Sequence, residues 1–332
     1  MKKERTILIT GAAGMIGSLL VRKIIEDNIF CRIVLPVRNI QKAQRVYKDL
    51  QRSEYQKLYF IESRMEDLNQ SFCPELYRME IHSIIHCACI TQSKEMLLHP
   101  VETADGIVTG TKNILELARD RQVDSMVYLS SMEVYGRVEN TGRKSSEDEL
   151  GYIDLHSPRS CYPMAKRMAE HYCHIYHAEY GVPVKIARLA QTFGKGVKLE
   201  DQRVYMQFAR AVQEKKDIVL HTPGLSMGNY CHTQDTVDAV FCILQSGIDG
   251  EAYNIVNEEN TMSIREMAEF VIKNFAEGEI KVVCDINGEN RRMYAADTGL
   301  RLSSEKLQQL GWRPKRDLVT MYHDVLEELN KN

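Results

Sequence analysis

Residues 6–17 read Thr-Ile-Leu-Ile-Thr-Gly-Ala-Ala-Gly-Met-Ile-Gly. The first five form a short apolar run that stops at a glycine, the pattern of a buried strand. Met15–Asp27 then sets Ile16, Leu19, Leu20, Ile24 and Ile25 at helical spacing. Gly11, Gly14 and Gly17 fall between the strand and the helix and just inside the helix. Glycines allow a tight turn there and let the backbone approach a pyrophosphate. The helix start adds free N–H groups and a partial positive charge. A strand, a glycine loop and a helix in direct succession predict a dinucleotide site, with Gly11, Gly14, Met15, Ile16 and Gly17 against the ligand.

Further along, apolar strand-like and helix-like segments alternate. Ile33–Val37, Leu58–Ile61, Ser83–His86, Met126–Ser130 and Val184–Leu189 read as strands, and Gly106–Arg121 and Cys161–Tyr180 as helices. That alternation predicts an α/β chain, a Rossmann-type doubly wound parallel sheet. After about residue 190 the pattern is less regular and ends in the helices Ser263–Phe275 and Asp317–Asn330. The expected division is a dinucleotide-binding domain over 1–189 with 230–257 returning to it. A smaller, interleaved C-terminal substrate domain takes 190–229 and 258–332.

The chain has 332 residues, 44% hydrophobic and 27% charged, with a net charge of −3. This is an ordinary globular composition with no basic field to draw nucleic acid. No apolar run is long enough to cross a bilayer. Nine cysteines are scattered without a Cys-x-x-Cys pair, which fits reduced core residues better than a disulfide framework. The N-terminus enters a strand within six residues. The expectation is a soluble, cytoplasmic protein with neither nucleic-acid nor membrane partner.

Chemistry concentrates in Arg159-Ser-Cys-Tyr-Pro-Met-Ala-Lys-Arg167. A phenol is a poor base near neutral pH, with an ordinary pKa of about 10. Lys166 follows Tyr162 by one helical turn, on the same face, where its charge favours the phenolate. Ser131, with Ser130 beside it, leaves a buried strand at the end where ligands bind in open α/β sheets. Its hydroxyl is suited to align a substrate oxygen with the phenol. A nicotinamide fixed by the glycine loop would then take a hydride, which describes oxidation of an alcohol to a ketone. The second strand ends Val37-Arg38-Asn39 without the acid that holds an NAD ribose. Arg38 argues instead for the 2′-phosphate of NADP. His171, Cys173, His174 and His177 do not share one helix face and are set aside as metal ligands. No metal is expected.

Gly11–Gly17, His86-Cys-Ala88, Ser130–Gly136, Tyr162–Lys166, Arg188–Gly194 and Tyr230–Asp235 together resemble the extended short-chain dehydrogenase/reductase family. The run Glu133-Val-Tyr-Gly136 points to its nucleotide-sugar epimerase/dehydratase/decarboxylase branch. Arg159–Glu170 and Asp201-Gln-Arg-Val204 look most like UDP-glucuronate decarboxylases. The resemblance implies tightly held NAD, a homodimer packed through the Tyr162 helix, and oxidation of a sugar nucleotide at C4. Expected catalytic residues are Ser131, Tyr162, Lys166 and Glu133. Ala88 and Leu189 join Arg38, Tyr162, Lys166 and the loop residues as cofactor contacts. Thr91, Ser130, Met132, Gln191 and Arg203 are the expected substrate contacts. Gln191 stands where the family has an asparagine, and Arg203 is the cation expected on a diphosphate.

Two departures narrow the reaction. Dehydratases of the branch carry Thr-Asp-Glu where this chain has Ser131-Met132-Glu133, and methionine cannot protonate a leaving hydroxyl. Decarboxylases carry an arginine where this chain has Gly228. The leading expectation is therefore a 4-epimerase. The alternatives are an NADPH-dependent 4-keto-sugar reductase, a sugar-nucleotide decarboxylase or dehydratase, and a cofactor-sensing regulator without turnover. A sensor needs only the glycine loop, so Ser131, Tyr162 and Lys166 argue against it.

Overall fold

Strand Thr6–Thr10 (β1) is buried along its whole length, as its apolar run requires when helices cover both faces of a parallel sheet. The structure is a computed structural model that describes residues 5–30, 32–286 and 297–331. The other sheet strands are Arg32–Val37 (β2), Leu58–Glu62 (β3), Ser83–His86 (β4), Ser125–Ser131 (β5) and Val184–Leu189 (β6). The seventh, Ala252–Ile255, lies beside β6, giving the order Ala252–Ile255, β6, β5, β4, β1, β2, β3. Pairing is parallel from β5 through β4, β1 and β2 to β3. β1 lies between β2 on one side and β4 on the other, so the strand order reverses there. This is the switch point at which α/β sheets bind ligands beyond their carboxyl ends. The predicted doubly wound parallel sheet is the observed one.

The chain folds as two units, each built from segments distant in sequence. The first runs up to Val134 and includes Ile153–Arg188 and Val237–Tyr253. Its core joins Ile84, Met126 and Tyr128 of the sheet to Ile107 and Ile114 of helix Pro100–Arg121. Helix Cys161–Tyr180 adds Tyr162, Ala165, Ala169, Cys173 and Tyr176. These five recur every three or four residues and make one buried stripe, with two alanines and a cysteine at its centre. Lys166 lies on the same buried side. The packing face of this helix thus carries Tyr162 and Lys166 inward.

The second unit holds Tyr135–Tyr152, Leu189–Thr236 and Asn254 onward. Its three-stranded sheet has Met227–His232 at the centre, antiparallel to Asn257–Ser263 and parallel to Gln191–Phe193. Phe193 stacks on Tyr205 at 4.2 Å, and Tyr230 and Tyr322 meet it edge-on. Leu189 and the segments 135–152, 230–236 and 254–257 fall in this unit, whereas the expected division had them in the first. Tyr230–His232 pairs within the three-stranded sheet, so only the helix Thr233–Ser246 and the strand Ala252–Ile255 come back toward the parallel sheet. Ala252–Ile255 takes the edge beside β6, and the other strands form the three-stranded sheet and a separate parallel pair, Ile218–Leu220 with Val282–Cys284.

Candidate active site

The glycine loop leaves β1 through Gly11, whose φ of +67° is a left-handed conformation that side chains rarely adopt. A Cβ on Gly11 would lie 2.9 Å from the backbone of Ala88, and one on Gly17 only 2.3 Å from the Gly11 carbonyl. The turn closes with Gly14 N–H donating to the Gly11 carbonyl at 2.9 Å. Helix Met15–Asp27 (α1) begins at Gly14 with no side-chain cap and no acidic residue in its first turn. Its first N–H groups at Met15 and Ile16 are left to an anion. These features fit a dinucleotide pyrophosphate. The Tyr47 hydroxyl donates to the Ala12 carbonyl at 2.6 Å and supports the loop from behind.

A buried hydrogen-bond chain ties this loop to β4. The Thr10 hydroxyl accepts from the backbone N–H groups of Cys87 at 3.0 Å and Ala88 at 3.1 Å. With both lone pairs used, its proton goes to His86 Nδ1 at 2.7 Å. His86 therefore carries its hydrogen on Nε2, facing the Thr111 hydroxyl at 3.3 Å. Burial, and then the charge of Lys166, push the His86 imidazolium down to about 3, so the ring is neutral and works as a strut. Ala88 is fixed against Gly11 in this way. Thr10, His86 and Thr111 were not among the expected site residues. A histidine at the end of an apolar strand was the signal, but its partners are 76 and 25 residues away.

Across the sheet, β5 ends at Ser131 and the Tyr162 helix begins at Cys161. Tyr162 is 6% exposed and Lys166 2%. Ser131, the last residue of β5, favours the charged form of the Tyr162 phenol. Burial raises that phenol well above its ordinary value, nearby Cys89 and Glu133 add to the rise, and the Ser131 hydroxyl and Arg159 oppose it. Lys166 Nζ donates to the Leu129 carbonyl at 2.6 Å. It lies 4.6 Å from the centre of the Tyr128 ring and 5.9 Å from that of Tyr162. The ammonium is thus held beside the two rings by a carbonyl of β5. Glu133 follows on the short turn Met132–Tyr135. Its N–H donates to Ser131 Oγ at 3.2 Å, and its carboxylate accepts from Arg159 Nη2 at 2.9 Å. Ser130 Oγ is buried without a partner. Arg38 is exposed just beyond β2, and Thr91 is exposed beyond β4.

Residues 7–256 match the model of the NAD dependent epimerase/dehydratase family. The chain belongs to that family. It is 28% identical to UDP-glucuronic acid decarboxylase 6 of Arabidopsis thaliana over 93% of this chain and 84% of the relative. It is also 28% identical to human dTDP-D-glucose 4,6-dehydratase, over 94% of this chain and 86% of the relative. The solved structure of UDP-glucose 4-epimerase from Thermotoga maritima, with UDP-glucose, superposes with a TM-score of 0.78 at 20% identity. That match covers 98% of this chain and 99% of the other. This family member is therefore an NAD-dependent nucleotide-sugar enzyme of the extended short-chain dehydrogenase/reductase type.

The remaining expected residues of this epimerase/dehydratase-family enzyme lie in the second unit. Leu189, the last residue of β6, is half-buried. Gln191 opens the strand Gln191–Phe193, opposite Tyr230. Arg203 is held by Asp201, with Nη2 2.6 Å from Oδ2 and Nε 3.1 Å from Oδ1, and Nη2 also reaches the Tyr205 hydroxyl at 3.1 Å. Its charge is thus already shared with a carboxylate. A Cβ on Gly228 would lie 2.0 Å from the Tyr230 hydroxyl. The space into which a longer residue at 228 would grow is filled by that phenol. Arg291 and Arg292, near where the family resemblance puts a nucleotide-binding arginine, lie outside the described residues. Of the histidines and cysteine set aside as metal ligands, Cys173 is buried and His177 pairs its Nδ1 with the Val182 carbonyl at 3.0 Å.

Proposed function

We propose that the chain oxidises a sugar nucleotide at C4 and returns the hydride to the opposite face, a 4-epimerase. The reading rests on the Ser131–Tyr162 pair at the carboxyl end of β5, with methionine at position 132. Bound NAD would accept the hydride from C4. Ser131 would hold the 4-hydroxyl, and Tyr162 would receive its proton and later give it back. Lys166, anchored on the Leu129 carbonyl, supplies a fixed positive charge near the developing phenolate. Elimination of the 6-hydroxyl needs an acid that Met132 does not provide. Loss of a carboxylate would lack the arginine whose place the Tyr230 phenol takes at Gly228.

The test is to incubate the purified protein with UDP-glucose, UDP-glucuronic acid and dTDP-glucose in deuterated solvent and follow the products by NMR. A 4-epimer with no deuterium at C3 or C5 is the expected result. A 4-keto-6-deoxy sugar or a pentose would replace the epimerase reading with a dehydratase or a decarboxylase.

A second reading, a 4-keto-sugar reductase using diffusible NADPH, draws on Arg38. That side chain is exposed beyond β2, with no hydrogen bond or ion pair among the described residues. The cofactor that co-purifies separates the two. NAD released on denaturation supports the internal redox cycle, whereas an empty protein that binds NADPH supports the reductase. In either reading we take the active form to be a homodimer.

A further inference from the structure

We propose that Arg159 is a positioning residue of this site, clamping the Glu133 turn so that Ser131 stays against the Tyr162 phenol. The proposal rests on the C4-oxidation reading.

Ser131 and Tyr162 come from separate elements, each extended by a short 3-10 turn. β5 runs into Met132–Tyr135, and Pro158–Ser160 runs into the Tyr162 helix. Arg159 sits on the second turn and reaches across to Glu133 on the first at 2.9 Å. Glu133 in turn places its own N–H on Ser131 Oγ at 3.2 Å. One lone pair of the hydroxyl is thereby occupied, which leaves its proton and second lone pair for the phenol and the substrate oxygen. Links from the arginine through the carboxylate, its backbone and the serine thus end at the phenol. The guanidinium carbon is 5.9 Å from the centre of the Tyr162 ring. Its Nη1 is buried without a hydrogen-bond partner, so the ion pair with Glu133 does not use the whole guanidinium. The side chains of the pair are 30% and 39% exposed. Exposed pairs contribute little to stability, so its consequence here is geometric and electrostatic.

The groups around the phenol are Lys166 and Cys161 on its own helix, Cys89 beyond β4, Tyr128 and Ser131 on β5, and Glu133 and Arg159 on the turns. Arg159 opposes the rise that burial imposes on Tyr162, whereas Glu133 adds to it. Removing the arginine deletes one favourable charge and leaves the carboxylate unbalanced. Both changes disfavour the phenolate. The ascending, low-pH limb of the rate profile, set by ionisation of the phenol, must then move to higher pH.

The experiment uses the full chain with NAD. It follows single-turnover reduction of the bound nicotinamide against pH, with whichever of UDP-glucose, UDP-glucuronic acid and dTDP-glucose reduces the wild type. For Arg159→Leu we expect the limb to rise by about one pH unit and the rate at neutral pH to fall roughly tenfold, with KM little changed. Arg159→Lys keeps the charge and should recover most of the limb position. The Arg159→Leu/Glu133→Gln pair should bring the limb back toward wild type. An unmoved limb, a lysine variant no better than leucine, or a change confined to KM overturns the proposal. Should the leucine variant fail to fold, the lysine variant and Glu133→Gln decide, the latter by moving the limb to lower pH. If none of the three sugars reduces the wild-type cofactor, the C4-oxidation reading fails and the role of Arg159 falls with it. If reduction occurs and the limb is unmoved, only the clamp fails.

Discussion

A phenol enclosed by protein holds its proton, so Tyr162 needs neighbours that favour its charged form. The structure supplies the Ser131 hydroxyl and two cations, one anchored on Leu129 and one paired with Glu133. In the proposed reaction Tyr162→Phe keeps the ring and removes only the proton carrier. Turnover should fall by ~10²–10⁴, the usual contribution of a general acid–base. Bound NAD per chain should stay unchanged, because the glycine cradle does not use the phenol oxygen. Loss of turnover together with loss of cofactor would instead make Tyr162 a binding residue. Ser131, Tyr162 and Lys166 were legible in the sequence, since a strand end and a one-turn spacing are local patterns. The Arg159–Glu133 pair was not, because 26 residues separate the partners. Nor was the tautomer of His86, which depends on how many donors crowd one threonine oxygen.

Elements set where those side chains point. The helix Cys161–Tyr180 is fixed by its stripe of small buried residues and by one buried ion pair to β6. Glu170 accepts from Arg188 through Nε at 3.0 Å and Nη2 at 2.7 Å, and the two side chains are 6% and 5% exposed. Breaking such a pair leaves an uncompensated buried charge. Glu170→Ala should therefore cost ~3–5 kcal/mol, read as a lower urea midpoint. An exchange of both residues for apolar ones of similar volume should cost much less, and an equal loss in both variants would locate the stabilisation elsewhere. The family resemblance included Arg188 in the stretch Arg188–Gly194. Its burial beside Glu170 gives it a packing role that no pattern of residue types could reveal. Most helix and strand boundaries, by contrast, agreed with the apolar periodicity, because the buried face of each element is written in its own residues, whereas the helix expected from Gly106 begins at Pro100.

At the scale of the whole molecule, Val101 on helix Pro100–Arg121 and Met168 and Ile175 on helix Cys161–Tyr180 leave apolar side chains exposed. Met168 and Ile175 are seven residues apart and share one helix face. If the homodimer forms there, Ile175→Glu should place a charge in the interface and convert the dimer to a monomer, as light scattering after size exclusion would report. A variant that stays dimeric moves the interface elsewhere. Among the described residues no helix is long and apolar enough to cross a membrane. The sequence by itself determined the parallel sheet, the phosphate cradle and the serine, tyrosine and lysine, because each is encoded over a few residues or one helical turn. The tertiary structure alone decided which charges meet the phenol, which arginine is already neutralised, what fills the space at Gly228, and where Tyr135–Tyr152 and Tyr230–His232 belong. Those outcomes depend on segments that meet only after the chain has packed, and contact between distant segments leaves no periodic trace in the order of the residues.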